Sequence, residues 1–339
     1  MERPVCRLAR VGGRVKRNTR ILSVVLAVLF MLLFAIGACG PGSTPVMERE
    51  YELPSFSPAS LDAGEKLKVV ATTSIVHDVV SNIGRDLIEL TMLMPLGADP
   101  HSFEPTPKDI AAVSNAHLLF ANGAGLEEFL DPLLESAGAV ERVVHVSHNV
   151  KLIESVQEMD EKGADPHTWT NPNNVIVWAH TIEHALSALD PGNAEGYKAN
   201  TAAYVAELNE LDAWIRNQVS QVPRENRQIV TDHLLFAYLA QEYGFTQAGA
   251  IVPGFSTMAQ PAARELAALE DLIRELGVRA VFVGHTVNPS LAETVAKDTG
   301  AQLVFIYTGS LAEKGGDNEA DTYLGYIRYN IKVMVSALK

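Results

Sequence analysis

From Lys66 to the C-terminus, short apolar runs alternate with helical patterns, and the alternation breaks once, at a helix-forming stretch over 194–221 with no Pro or Gly after Gly196. Four runs precede it: Leu67–Ala71, Ile88–Leu93, Leu118–Ala121 and Arg142–Val146. Four follow: Gln228–Thr231, Gln247–Ile251, Ala280–Val283 and Leu303–Tyr307. Continuously apolar strands separated by helices predict parallel sheets buried on both faces. Within the break, Tyr197, Tyr204, Val205, Leu208, Leu211, Ile215 and Val219 recur at helical spacing. Asp190-Pro191-Gly192 punctuates its start and Pro223 its end. Such a helix is about 42 Å long, enough for a rigid strut between two lobes. The expected fold is therefore α/β with two lobes, 66–193 and 223–339, each a roughly four-stranded parallel sheet covered by helices. One long helix at 194–222 joins them. A cleft between such lobes is the usual home of a small ligand, beyond the carboxyl ends of the strands.

A repeat points into that cleft. Gly-Ala-Asp-Pro-His occurs at Gly97–His101 and Gly163–His167, each followed by a hydroxyl residue and an aromatic (Ser102-Phe103, Thr168-Trp169). The two histidines are 66 residues apart, and His233 lies another 66 residues on, after Val230-Thr231-Asp232. Each sits in a loop bordering a strand or helix, so all three can converge. Proline fixes its own φ and extends the residue before it, which rigidifies the loop presenting the imidazole. The Asp ahead of it can cap a turn or bond the ring as a supporting partner. Imidazole is the commonest ligand for zinc and similar metals. His77, His117, His145 and His148 share no such context and read as structural. His180 and His184 form an i, i+4 pair on a helix and read as solvated surface.

Residues 1–20 hold seven Arg/Lys and one acid, and 21–38 is uncharged, closing Ile36-Gly37-Ala38-Cys39. A basic segment, an apolar segment and small residues form an export signal, 1–38. Cys39 after Gly-Ala fits lipidation of the mature N-terminus; an uncleaved membrane anchor is the other reading. Either places the folded part outside the cytoplasm, on a membrane. The segment 39–65, with Pro41, Pro45, Pro54 and Pro58, reads as a flexible tether. Without the signal the chain keeps 20 Lys/Arg against 40 Asp/Glu, a net −20 that disfavours nucleic acid and suits cations. Cys6 leaves with the signal, so the mature domain has no disulfide.

Three long stretches carry a family resemblance: Met94–Pro107, Asp165–Pro172 and Thr231–Tyr238. Over 66–339 the chain resembles the metal-binding component of bacterial zinc and manganese ABC importers, the cluster A-I group. The resemblance implies two lobes joined by one helix, limited closure on binding, and metal ligands at His101, His167 and His233. Manganese-type members tend to carry Glu at the third position and zinc-type members His, so His233 leans towards Zn2+. Imidazole-rich sites also suit zinc, whereas manganese prefers oxygen. The family's fourth ligand is an Asp in a late Tyr-Ser/Thr-Asp-Ser-Leu segment. Here that segment is Tyr307-Thr308-Gly309-Ser310-Leu311, and Gly309 has no side chain to donate. His285, in Gly284-His285 where members show Glu-Ser or similar, is the leading candidate for a compensating ligand. Water and a carboxylate of Asp317, Glu319 or Asp321 are the alternatives.

The function this implies is capture of Zn2+, with Mn2+ or iron as the alternative cargo, and its delivery to the membrane permease of an ABC importer. The carrier is expected to be a lipid-anchored monomer that performs no chemistry. Three His plus water is also a catalytic zinc arrangement, but the chain has no His-Glu-x-x-His motif. A surface adhesin with a structural metal is the third reading.

Overall fold

The structure, a computed structural model, describes residues 55–154, 163–315 and 319–339. The signal, most of the tether, Cys39 and Asp317 lie outside the described residues.

Each half builds one four-stranded, wholly parallel sheet. In the first, β1 (Leu67–Ala71), β2 (Ile88–Met92), β3 (Leu118–Ala121) and β4 (Val143–His145) lie in the order β2-β1-β3-β4. In the second, β5 (Gln228–Thr231), β6 (Thr246–Ala250), β7 (Ala280–Gly284) and β8 (Gln302–Ile306) repeat it as β6-β5-β7-β8. Register is continuous in most pairs, for example Leu67 opposite Ile88 and Ala280 opposite Gln302, and shifts once between β5 and β6, at Ile229/Val230. The strands match the apolar runs to within a residue or two; the inner strands β1, β3, β5 and β7 are buried on both faces, as their continuous apolar runs record, whereas β2 alternates and β6 is only half-buried.

The helices are α1 (Ser74–Gly84), α2 (Pro107–Asn115), α3 (Leu130–Ala137), α4 (Pro172–Leu189), α5 (Ala194–Val219), α6 (Ala237–Tyr243), α7 (Ala263–Leu276), α8 (Ser290–Thr299) and α9 (Tyr323–Leu338). Polar caps start several of them. Thr73 accepts from Val76 N ahead of α1, Asn171 from Asn173 N ahead of α4, and Thr322 from Gly325 N ahead of α9.

The long helix is α5, 26 residues and about 39 Å long. It packs on α1 and α4 from the first half and on α9 from the second, so one rod backs both lobes. Leu208, Leu211 and Ile215 of α5 are fully buried, each contributing roughly 1.5–3 kcal/mol. The lobes also meet through polar contacts. Tyr323 N donates to Asp78 Oδ2 at 2.9 Å, Gly97 N to Ser310 Oγ at 2.9 Å, and Leu311 N to Ser74 Oγ at 3.0 Å.

Candidate metal centre

His101, beyond β2, His167, ahead of α4, and His233, directly after β5, meet between the lobes. All three are buried. Nε2 of His167 lies 3.3 Å from Nε2 of His101 and 3.1 Å from Nε2 of His233. Zinc–nitrogen bonds of about 2.0–2.1 Å put tetrahedral ligands about 3.3 Å apart, so His167 is spaced from each of the other two as neighbouring vertices around one ion are, and all three ligand atoms lie within 4.8 Å of one another. They form a group of three candidate ligands among the described residues, and it contains no carboxylate oxygen.

An aspartate braces each histidine. Asp165 Oδ1 accepts from His167 N at 2.9 Å and pairs with its Nδ1 at 2.7 Å. Asp232 Oδ1 does the same for His233, at 2.7 and 2.6 Å, while its Oδ2 accepts from Gly284 N at 2.6 Å. Asp99 Oδ1 accepts from His101 N at 3.1 Å, so in the first copy of the repeat the aspartate caps the turn. Anchoring Nδ1 aims Nε2 at the common point and raises the ring's basicity as a ligand. Trp169 packs edge-on to His167, 5.2 Å between ring centres. Its own segment is tied to the second lobe, for Tyr323 Oη donates to Trp169 O at 2.7 Å.

Burial sets the charge state. It pushes His101 down to about 4, with the nearby His233 ring adding to the effect. Burial, then His233 and His101, holds His167 well below its ordinary value. Both rings are therefore neutral near pH 7, the state a metal requires. Burial also pushes the Asp165 carboxyl up to about 7, against the lowering effect of the bond from His167 N.

The fourth position departs from expectation. The structure does not bring His285 to the cluster. Its ring is exposed and lies against Phe305 and Tyr307, at 5.7 and 4.6 Å. Strand alternation explains this. A Cβ on Gly284 would meet Thr308 Oγ1 and Asp232 Oδ2, so position 284 faces the site and position 285 turns away. Nor is the vacated Asp position open, since a Cβ on Gly309 would stand 2.7 Å from Pro100 Cδ. The first Asp-Pro-His loop has settled against the glycine. Glu319 is exposed, Asp321 is half-buried, and neither belongs to the cluster. Beside the imidazoles a cavity of about 10 Å³ is lined in part by Thr257, Thr286, Thr308 and Gly309, room for about one water-sized group.

The other histidines of the described residues lie outside the cluster. His117 Nδ1 accepts from Lys68 N at 2.9 Å, a structural role. His180 and His184 sit on α4, outside the cluster. Residues 252–257, which touch all three histidine-bearing segments, carry no motif. Their sequence signals were Pro253-Gly254 and Pro261, which announce a turn but not a site.

Two α/β lobes backed by one helix, with three buried imidazoles gathered between them, define a site suited to capturing a metal ion. The sequence pattern of the family described as zinc-uptake complex component A, periplasmic (ZnuA) matches residues 69–337. The chain belongs to that family, the extracytoplasmic metal-binding components of ABC importers. It is 36% identical over 276 residues to the manganese-binding lipoprotein MntA of Halalkalibacterium halodurans, covering 81% of this chain and 89% of that one. Among solved structures, the periplasmic zinc-binding protein TroA of Treponema pallidum aligns with a TM-score of 0.74 at 26% identity. That alignment covers 81% of this chain and 99% of TroA. A manganese-bound periplasmic metal-binding protein of Candidatus Liberibacter asiaticus aligns at 0.71 and 27%, covering 81% and 100%.

Proposed function

We propose that this receptor captures Zn2+ through His101, His167 and His233 and presents it to the permease of its importer. One observation carries the reading: the ligand atoms brought together are three imidazole nitrogens with no carboxylate oxygen among them. Nitrogen-rich sites favour zinc, and manganese favours oxygen. The manganese-binding relatives make Mn2+ the competing cargo. A solvent molecule completes the coordination, in the space lined by Thr286, Thr308 and Gly309. The carrier is held at the membrane through acylated Cys39, as the motif Ile36-Gly37-Ala38-Cys39 and the lipoprotein relative suggest. The test is a zinc titration of the metal-free full-length chain against a competing chelator. One equivalent bound by the native chain, with His167→Ala at least 100-fold weaker, is the expected result. Undiminished binding in His167→Ala would remove the site from the account.

A further inference from the structure

We infer that residues 252–257 form a strap that gates metal release, and that Thr257 is its latch. The inference rests on the metal-capture reading above. Pro253 and Pro261 bound an irregular segment of the second lobe. At its base, Val252 N donates to Asp232 O at 2.7 Å, and Leu234 N donates to Gly254 O at 2.9 Å, so it is pinned on both sides of His233. Phe255 then packs its ring on His167, 6.4 Å between centres. At the far end Thr257 Oγ1 donates to Asp99 Oδ2 at 2.6 Å. Asp99 is the residue whose other oxygen holds His101 N. One segment thus touches all three histidine-bearing loops, and its last contact is a single hydrogen bond across the lobe boundary.

The strap has somewhere to go. Behind it lies a cavity of about 190 Å³, lined by Ile251, Val252, Val283, Val287, Leu291 and Ala292 among others. Thr257 and His233 line both this cavity and the metal cavity, so Thr257 forms part of the wall between them. Gly254, with φ at +118°, supplies a backbone conformation that other residues rarely adopt, at the point where a hinge is needed. The opposite lobe contacts, through Ser74, Ser310 and Asp78–Tyr323, are multiple and partly backed by α9. Breaking the Thr257–Asp99 bond lets the strap fall back into its cavity and uncovers the ion without parting the lobes. Thr257 is a positioning residue, because it touches Asp99 and not the ion.

The experiment measures zinc dissociation from the full-length chain by stopped flow against excess EDTA. Thr257→Val keeps the shape and removes the hydroxyl, and it should release zinc about tenfold faster, the loss of roughly 1.4 kcal/mol. Thr257→Ser keeps the donor and should release at the native rate. Ala292→Leu fills the space behind the strap and should slow release about threefold or more. A native rate in Thr257→Val with zinc still bound stoichiometrically overturns the strap and leaves the capture reading intact. A native chain that binds no zinc overturns both. Should Thr257→Val fail to fold by circular dichroism, Ala292→Leu decides alone: slower release supports the strap, and unchanged or faster release overturns it.

Discussion

Replacing Asp165 by Asn separates two jobs of one carboxylate. The group is buried at 0% exposure, with one oxygen on His167 and the other, Oδ2, buried without a hydrogen-bond partner. Burial raises its pKa to about 7, against about 3.9 in an unfolded chain. Between those values the native state binds a proton that the unfolded state has released. The stability of the metal-free protein therefore falls as pH rises from about 4 to about 7, by roughly 4 kcal/mol in all. Asparagine keeps an acceptor for His167 but cannot ionise, so this loss disappears. The advantage of Asp165→Asn over the native chain should grow by about 2–3 kcal/mol between pH 5 and pH 8 in urea denaturation of the metal-free proteins. Its zinc affinity should move the other way. The charge that orients and polarises His167 is gone, and such losses cost about 10- to 100-fold in metal affinity. Chelator competition at pH 7.5 reads the second effect. Equal stability differences at both pH values, or undiminished zinc affinity, would refute the assignment of Asp165 as a buried charge kept for the metal.

Gly309→Asp, which recreates the family's carboxylate, should not by itself improve manganese binding. Its Cβ would stand 2.7 Å from the Pro100 ring, an overpacking cost of about 1–3 kcal/mol that a thermal melt detects. His285→Ala should leave zinc affinity within about twofold in the same competition assay, because its exposed ring lies on Phe305 and Tyr307 and surface changes cost about 0.5 kcal/mol or less. Zinc retention should persist below pH 6, since burial keeps His101 near 4 and His167 well below its ordinary value. Proton competition at His101 then sets in only as pH falls towards about 4. A dye-monitored release curve centred near 6.5, the value of a free imidazole, would contradict that.

Much of this is legible in the amino-acid sequence itself. The inner strands are readable because strands buried on both faces are apolar at consecutive positions; the outer ones are readable from their place between helical stretches. The long α5 is readable because Pro and Gly are absent after Gly196, over about six turns of periodic apolar residues. The three histidines stood out because two share a rigid Asp-Pro-His frame and the third follows an Asp at a strand end. The fourth position was misdirected by proximity in sequence. His285 neighbours the right residue, but a strand sends consecutive side chains to opposite faces, and the inward position belongs to Gly284. The contact of Pro100 with Gly309 joins residues more than 200 positions apart, which no local pattern encodes. The 252–257 strap leaves no mark in the sequence for a related reason. It has neither period nor motif, and its significance lies in the three loops that it touches.

Direct competition between zinc and manganese for the metal-free full-length chain, followed by calorimetry at pH 7.5, is the decisive measurement. One zinc ion per chain is expected, with manganese clearly the weaker, the preference of three imidazoles without a carboxylate. Equal affinities, or manganese binding the tighter, would contradict it.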